Sequence, residues 1–241
     1  MPFPYSENSV AAPASTPPRV DAVLFDYGMV LSGPPAPSAW DKMRAITGLD
    51  GNVLHAAYWR FRHDYDRAAL GGHAYWLAVA SDAGITLTGE QIAALAAADI
   101  DLWTTPNPPM VEWAQRLQHA SVRTGILSNI GDWIGEGVVA KLPWLAQFNV
   151  CIWSHTLFMA KPDPQIYLKT AEALHTAPVN ILFLDDKQEN VEAAAALGFQ
   201  AIQYSGQPAF EHEMRARGFA FLLDVGSNGQ IASAAVQSQT A

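Results

Sequence analysis

The strongest constraint on this chain is a set of chemistry-bearing residues placed at the ends of short apolar runs, with helix-length segments between them. Asp26 follows Val23-Leu24-Phe25, and Ser128-Asn129 follow Gly125-Ile126-Leu127. Lys161 precedes Pro162, and Asp185-Asp186 follow Ile181-Leu182-Phe183-Leu184. A continuous apolar run is the pattern of a strand buried on both faces. Candidate strands are Asp21 to Asp26, Val122 to Leu127, Val150 to Trp153, Ile181 to Leu184, Ala201 to Tyr204 and Phe219 to Leu223. Helical patterns lie between them at Pro109 to His119, Trp133 to Lys141, Pro164 to Leu174, Val191 to Leu197 and Pro208 to Arg217. Strands alternating with helices predict an α/β fold, a doubly wound parallel sheet with right-handed crossovers. In such a sheet the carboxyl ends of the strands open on one crevice. A carboxylate, a hydroxyl, an ammonium and a carboxylate pair would meet there. That set can hold a divalent cation and a phosphate, and it offers Asp26 as a nucleophile.

One stretch breaks the alternation. About a hundred residues separate Asp26 from Ser128, far more than a single crossover needs. The text there is helical: Ala39 to Ile46, Val53 to Leu70, His73 to Ala83 and Thr88 to Leu102, with Thr88 as N-cap. The expected organisation is a leader over 1–19, a core over 20–34 and 104–223, an inserted helical domain over 35–103 and a tail over 224–241. Ser128 to Lys161 leaves room for one helix and one strand.

Four motifs carry a family resemblance. They are Phe25-Asp26-Tyr27-Gly28-Met29-Val30-Leu31, Leu127-Ser128-Asn129, Lys161-Pro162-Asp163-Pro164 and Leu184-Asp185-Asp186-Lys187-Gln188-Glu189-Asn190, followed by Leu197-Gly198-Phe199. In this order they resemble the haloacid dehalogenase superfamily with a helical type 1 cap. The nearest branch is that of sugar phosphatases and epoxide-hydrolase N-terminal domains, with Asp-x-Gly in the first motif. The resemblance implies a Rossmann-like core and a Mg²⁺-dependent phosphatase working through an aspartyl-phosphate. Asp26 would be the nucleophile, with Ser128, Asn129 and Lys161 around the phosphate. The metal would be held by Asp26, the backbone carbonyl of Gly28, Asp186 and Asp185, with Asp186 the direct ligand and Asp185 bound through water or to Lys161. Asn190 would order the last loop.

Gly28 departs from the usual pattern. Most phosphatases of the family carry a second aspartate there, which protonates the leaving alkoxide and then activates water, a role commonly worth about 10²- to 10⁴-fold. Asp132 and His63 are the candidate substitutes. Loss of that acid also suits a metal-independent 2-haloacid dehalogenase, since a halide leaves without a proton. The Asp185-Asp186 pair speaks against it. A catalytically idle binding protein is the other alternative. In the insertion, Trp59, Arg62 and Trp76 form a mixed aromatic and basic stripe that suits either core packing or contact with the organic part of a substrate.

Bulk properties limit the partners. Half of the residues are apolar and 15% are charged, which suits a folded chain. A net charge of −9 disfavours nucleic acid and anionic membrane, leaving a small phosphorylated molecule as the expected partner. Cys151 is the only cysteine, so no intrachain disulfide forms, and no apolar run reaches the length of a membrane span. With no basic, apolar leader, the expected location is cytoplasmic.

Overall fold

The computed structural model describes residues 18–226, so most of the expected leader and tail lie outside the described residues. Five parallel strands form one sheet: β1 (Ala22–Phe25), β2 (Arg123–Ser128), β3 (Val150–Trp153), β4 (Ile181–Asp185) and β5 (Gln200–Gln203). Their spatial order is β3-β2-β1-β4-β5, so β1 is central and the order reverses there. All four β1 residues are fully buried, because both faces are covered.

Alternation along the strands divides the core. Val23, Phe25, Ile126, Leu182 and Leu184 face α6 (Pro108–His119) and α11 (Gln207–Ala216). The Phe25 ring meets Trp113 of α6 edge-on at 5.4 Å. Ala22, Leu24, Leu127, Ile181 and Phe183 face α9 (Pro164–Ala173) and α10 (Gln188–Ala196) on the opposite side. Helices on both faces of a parallel sheet make the doubly wound α/β fold.

The sixth expected strand is a helix. Ala220–Leu223 form α12, which buries Phe219, Leu222 and Leu223 and leaves Phe221 exposed. A short apolar run suits a strand or a buried helical turn equally, and here docking decides: Trp113 Nε1 donates to Leu222 O at 2.8 Å. Between β3 and α9 the short α8 (Ser154–Leu157) was also not anticipated.

Five helices stand between β1 and α6: α1 (Pro37–Thr47), α2 (Gly51–Arg60), α3 (Arg62–Asp66), α4 (Gly72–Asp82) and α5 (Gly89–Leu102). Thr88 caps α5 through a capping box with Gln91. The expected single helix over Val53 to Leu70 is broken at Phe61 and ends at Asp66. No glycine or proline marks that break. It is made by burial of Arg62 and Asp66, which pulls a polar face inward where α2 buries Leu54, Ala57 and Tyr58. The chain leaves and returns side by side, with Gly33 N donating to Thr105 O at 2.8 Å.

The inserted helices are clamped to the core at close quarters. A Cβ on Gly131 would come within 2.2 Å of the Tyr65 ring, and one on Gly72 within 2.3 Å of Trp133. Gly72 N donates to Asp132 Oδ1 at 3.0 Å, and Asp101 of α5 pairs with Lys141 of α7 (Asp132–Lys141). Gly131→Ala is therefore expected to lower unfolding free energy by about 1–3 kcal/mol, the usual cost of overpacking, measurable as a lower urea midpoint. Among the described residues no helix is long and apolar enough to cross a membrane.

Candidate active site

Register brings the site together. Asp26 continues the central strand, and its N–H donates to Leu184 O at 2.7 Å. Phe25 pairs with Ile126 on one side and Leu184 on the other. The next residues, Leu127 and Asp185, therefore flank Asp26 at one strand spacing each, about 4.8 Å. Oxygens of Asp26, Asp185 and Asp186 lie within 4.8 Å of one another.

Lys161 is at the centre of this group and almost wholly buried. Its Nζ bonds Asp185 Oδ2 at 2.5 Å, Leu127 O at 2.9 Å and Asp26 Oδ1 at 3.0 Å. An ammonium has three protons, and all three are engaged. Burial works to lower the lysine's pKa, but Asp185 and Asp26 outweigh it and hold the pKa above its ordinary value. The charge is kept, and it acts on a bound anion through space.

The carboxylates are not equivalent. Asp185 accepts from Lys161 at Oδ2 and from Lys187 N and Asn190 Nδ2, both at 2.9 Å, at Oδ1. Those bonds orient it and leave it little freedom. Asp26 Oδ1 accepts from Tyr27 N at 2.7 Å and meets Lys161, while no hydrogen bond reaches Oδ2 among the described residues. Burial pushes the Asp26 carboxyl up to about 7; Lys161 opposes this, and Asp185 and Asp186 reinforce it. Asp186 is half-buried, with its pKa also raised, first by burial and then by Asp185. Three crowded carboxylates against one ammonium fit a hard divalent cation such as Mg²⁺, which takes oxygen ligands and would relieve the repulsion.

The other expected residues divide between contact and support. Ser128 lines the same pocket as Asp26. Asn129 lines the pocket too, with its side chain bonded to the Lys161 backbone: Nδ2 donates to Lys161 O and Oδ1 accepts from Lys161 N, both at 2.8 Å. It positions the lysine. Asn190 supports Asp185, and its own Oδ1 is buried without a partner. Gly28 lines the pocket at φ −63°, ψ 132°, a conformation open to any residue. A Cβ there would stand 3.7 Å from the Trp103 ring.

The pocket encloses about 250 Å³ between the sheet edge and the inserted helices. Its lining comes from the sheet edge with Asp26, Ser128, Asn129, Lys161 and Asp186, and from Met29. The inserted helices roof it with Trp59, Arg62, Asp66 and, at the end of α5, Trp103. Of the aromatic and basic stripe, Trp59 and Arg62 reach the pocket, whereas Trp76 is buried in the core. Neither proposed substitute acid does: His63 is exposed, and Asp132 Oδ1 accepts from Gly72 N and Trp133 N as a helix-end cap. Asp66 was missed. Its signal was the Arg62-Asp66 spacing of four, which puts the pair on one helix face.

Arg62 is an internal fixture. Its Nε donates to Asp66 Oδ1 at 2.8 Å, and Nη1 donates to Tyr58 Oη and lies 3.6 Å from Asp99 Oδ1. Two acids face this one guanidinium, so only one of them has to be ionised to balance it. Burial raises the Asp99 pKa to about 6, against the pull of Arg62.

Comparisons with known proteins bear on the family and the fold. A family model of haloacid dehalogenase-like hydrolases matches residues 20–198. A 45-residue segment, 19% of the chain, is 51% identical to an enolase-phosphatase of Persephonella marina, of which it covers 20%. The chain spans less than half the length of the first curated relatives it matches. Among solved structures, a HAD family enzyme of Bacteroides thetaiotaomicron superposes with a TM-score of 0.67 at 16% identity, covering 82% of this chain and 99% of that one. The L-2-haloacid dehalogenase of Xanthobacter autotrophicus gives 0.62 at 21% identity, covering 89% and 85%. At these identities the structural matches speak for the fold. The family match spans most of the chain, and the chain belongs to the haloacid dehalogenase-like hydrolases.

Proposed function

We propose that this chain is a Mg²⁺-dependent phosphomonoesterase for a small phosphorylated metabolite, with residues 35–103 acting as its cap. The observation that carries the reading is the convergence of Asp26, Asp185 and Asp186 around one point, beside a buried, fully bonded Lys161. Asp26, Asp186 and the Gly28 carbonyl would hold the cation, with Asp185 aligned behind them. When bound, Mg²⁺ supplies positive charge to the phosphate oxygens. Asp26 Oδ2 attacks phosphorus in line, forming an aspartyl-phosphate, and water then cleaves it. The Ser128 hydroxyl donates to an equatorial oxygen, and Lys161 adds its charge. The inserted helices exclude bulk water and give the pocket room for a short organic group. The phosphatase among the relatives is in keeping with this reading.

The competing reaction, metal-independent dehalogenation, separates cleanly by assay. Turnover of p-nitrophenyl phosphate should need Mg²⁺ and fall to background in EDTA, and 2-chloropropionate should release no chloride. Halide release that persists in EDTA would replace the phosphatase reading with the dehalogenase.

A further inference from the structure

We propose that Asp66, from the roof of the pocket, is the acid–base residue that Gly28 does not supply. The proposal rests on the phosphatase reading above. A phosphate ester of a poorly acidic alcohol needs a proton on its departing oxygen, and glycine has no side chain to give one. The carboxylic acids lining the pocket are Asp26, Asp186 and Asp66. Asp26 is the attacking group and Asp186 faces the cation position, so Asp66 is the acid left over. The Tyr27 hydroxyl is already committed, donating to Trp103 O at 2.6 Å.

Asp66 is also held where the role requires. Asp26 stands at the sheet edge and Asp66 on α3 of the inserted helices, and both line one pocket, so in-line attack by Asp26 would send the leaving oxygen towards the helices that carry Asp66. Oδ1 accepts from Arg62 Nε at 2.8 Å, and no hydrogen bond reaches Oδ2 among the described residues. The Asp66 carbonyl accepts from Ser154 Oγ, which itself accepts from Ile130 N at 2.8 Å. The Asp66 backbone is thus tied to the loop that carries Ser128.

The electrostatic surroundings suit a proton donor. Burial raises the Asp66 pKa, while Arg62, Lys187 and His63 oppose the rise. Asp99 and Tyr58 face the same guanidinium from α5 and α2 and share its charge. A bound phosphate dianion adds negative charge and raises the carboxyl further.

The steps balance. Asp26 Oδ2 bonds phosphorus as the ester P–O bond breaks, and the Asp66 proton passes to the ester oxygen, releasing the alcohol. Asp66, now a carboxylate, takes a proton from water as the water oxygen attacks phosphorus. The P–O bond to Asp26 breaks, phosphate leaves, and both aspartates regain their starting states.

The test compares two substrates in Mg²⁺: p-nitrophenyl phosphate, whose phenol leaves unaided, and glycerol phosphate, whose alcohol needs a proton. Asp66→Asn keeps the shape and the Arg62 bond. It should lower kcat/KM for glycerol phosphate by about 10²- to 10⁴-fold and for the aryl ester by less than about tenfold. Equal losses on both, no loss on either, or a selective loss in Lys187→Met instead would overturn the proposal. A second measurement needs no variant. Across aryl and alkyl phosphates, the unaltered protein should show a shallow dependence of kcat/KM on leaving-group acidity, and a steep one would overturn the acid alone. If the unaltered protein turns over neither substrate, the phosphatase reading and the proposal fall together.

Discussion

Asp26→Asn is expected to cut phosphatase turnover by about 10⁴-fold or more, since an amide is too weak a nucleophile to form the phosphorylated intermediate. The loss should appear in kcat, and the variant should show no labelled protein after incubation with a phosphate ester. Stability should move the other way. In a chelator the buried carboxylate repels Asp185 and Asp186, so removing its charge relieves the folded state. The pH dependence follows from the direction of the shift. The folded-state pKa, about 7, lies above the ordinary 3.8, so the folded protein holds this proton more tightly. Folding then takes up a proton between the two values, and this group's contribution is greatest in acid and is lost as pH rises through about 7. Urea titrations in EDTA should show that decline in the unaltered protein and a smaller one in Asp26→Asn. A steeper decline in the variant would contradict the picture.

Lys161→Ala should be the most damaging change to the fold. It leaves Asp26 and Asp185 buried without their counter-charge, and breaking a buried pair from one side costs about 3–5 kcal/mol. It also strands the Leu127 carbonyl. A divalent cation would restore part of the missing charge, so the loss measured by urea denaturation should be smaller in Mg²⁺ than in EDTA. Equal losses in both would show that no cation reaches these carboxylates. Turnover should fall by about 10²- to 10³-fold, the scale of one lost electrostatic contact to the transition state.

The legible part of this protein was the sheet and its edge. Continuous apolar runs marked β1 and β4, and the residues after them, Asp26 and Asp185-Asp186, stand where parallel strands open. Patterns of local origin were readable too, such as the N-cap at Thr88. Phe219 to Leu223 was misread because an apolar run that short has no period of its own. The interruption at Phe61 left no trace, since no breaker stands there and its cause is a network of distant partners.

Roles within the site were less legible than positions. Ser128 and Asn129 are adjacent and look alike as polar residues after a strand. Both line the pocket, but no hydrogen bond engages the Ser128 hydroxyl among the described residues, while the Asn129 amide clamps the Lys161 backbone. What separates these neighbours is the bonding of their side chains, and only the fold records it.

What the sequence determined by itself was the parallel α/β sheet and the kinds of group at its edge, because strand burial and residue order are local and serial properties. What the tertiary structure alone decided was which groups meet. Arg62 lies between Asp66 and Asp99, His63 is exposed outside the pocket lining, and Asp66 lines the pocket. Those outcomes depend on how five helices pack over the sheet, through contacts between residues far apart in the chain, where a buried charge must find its partner.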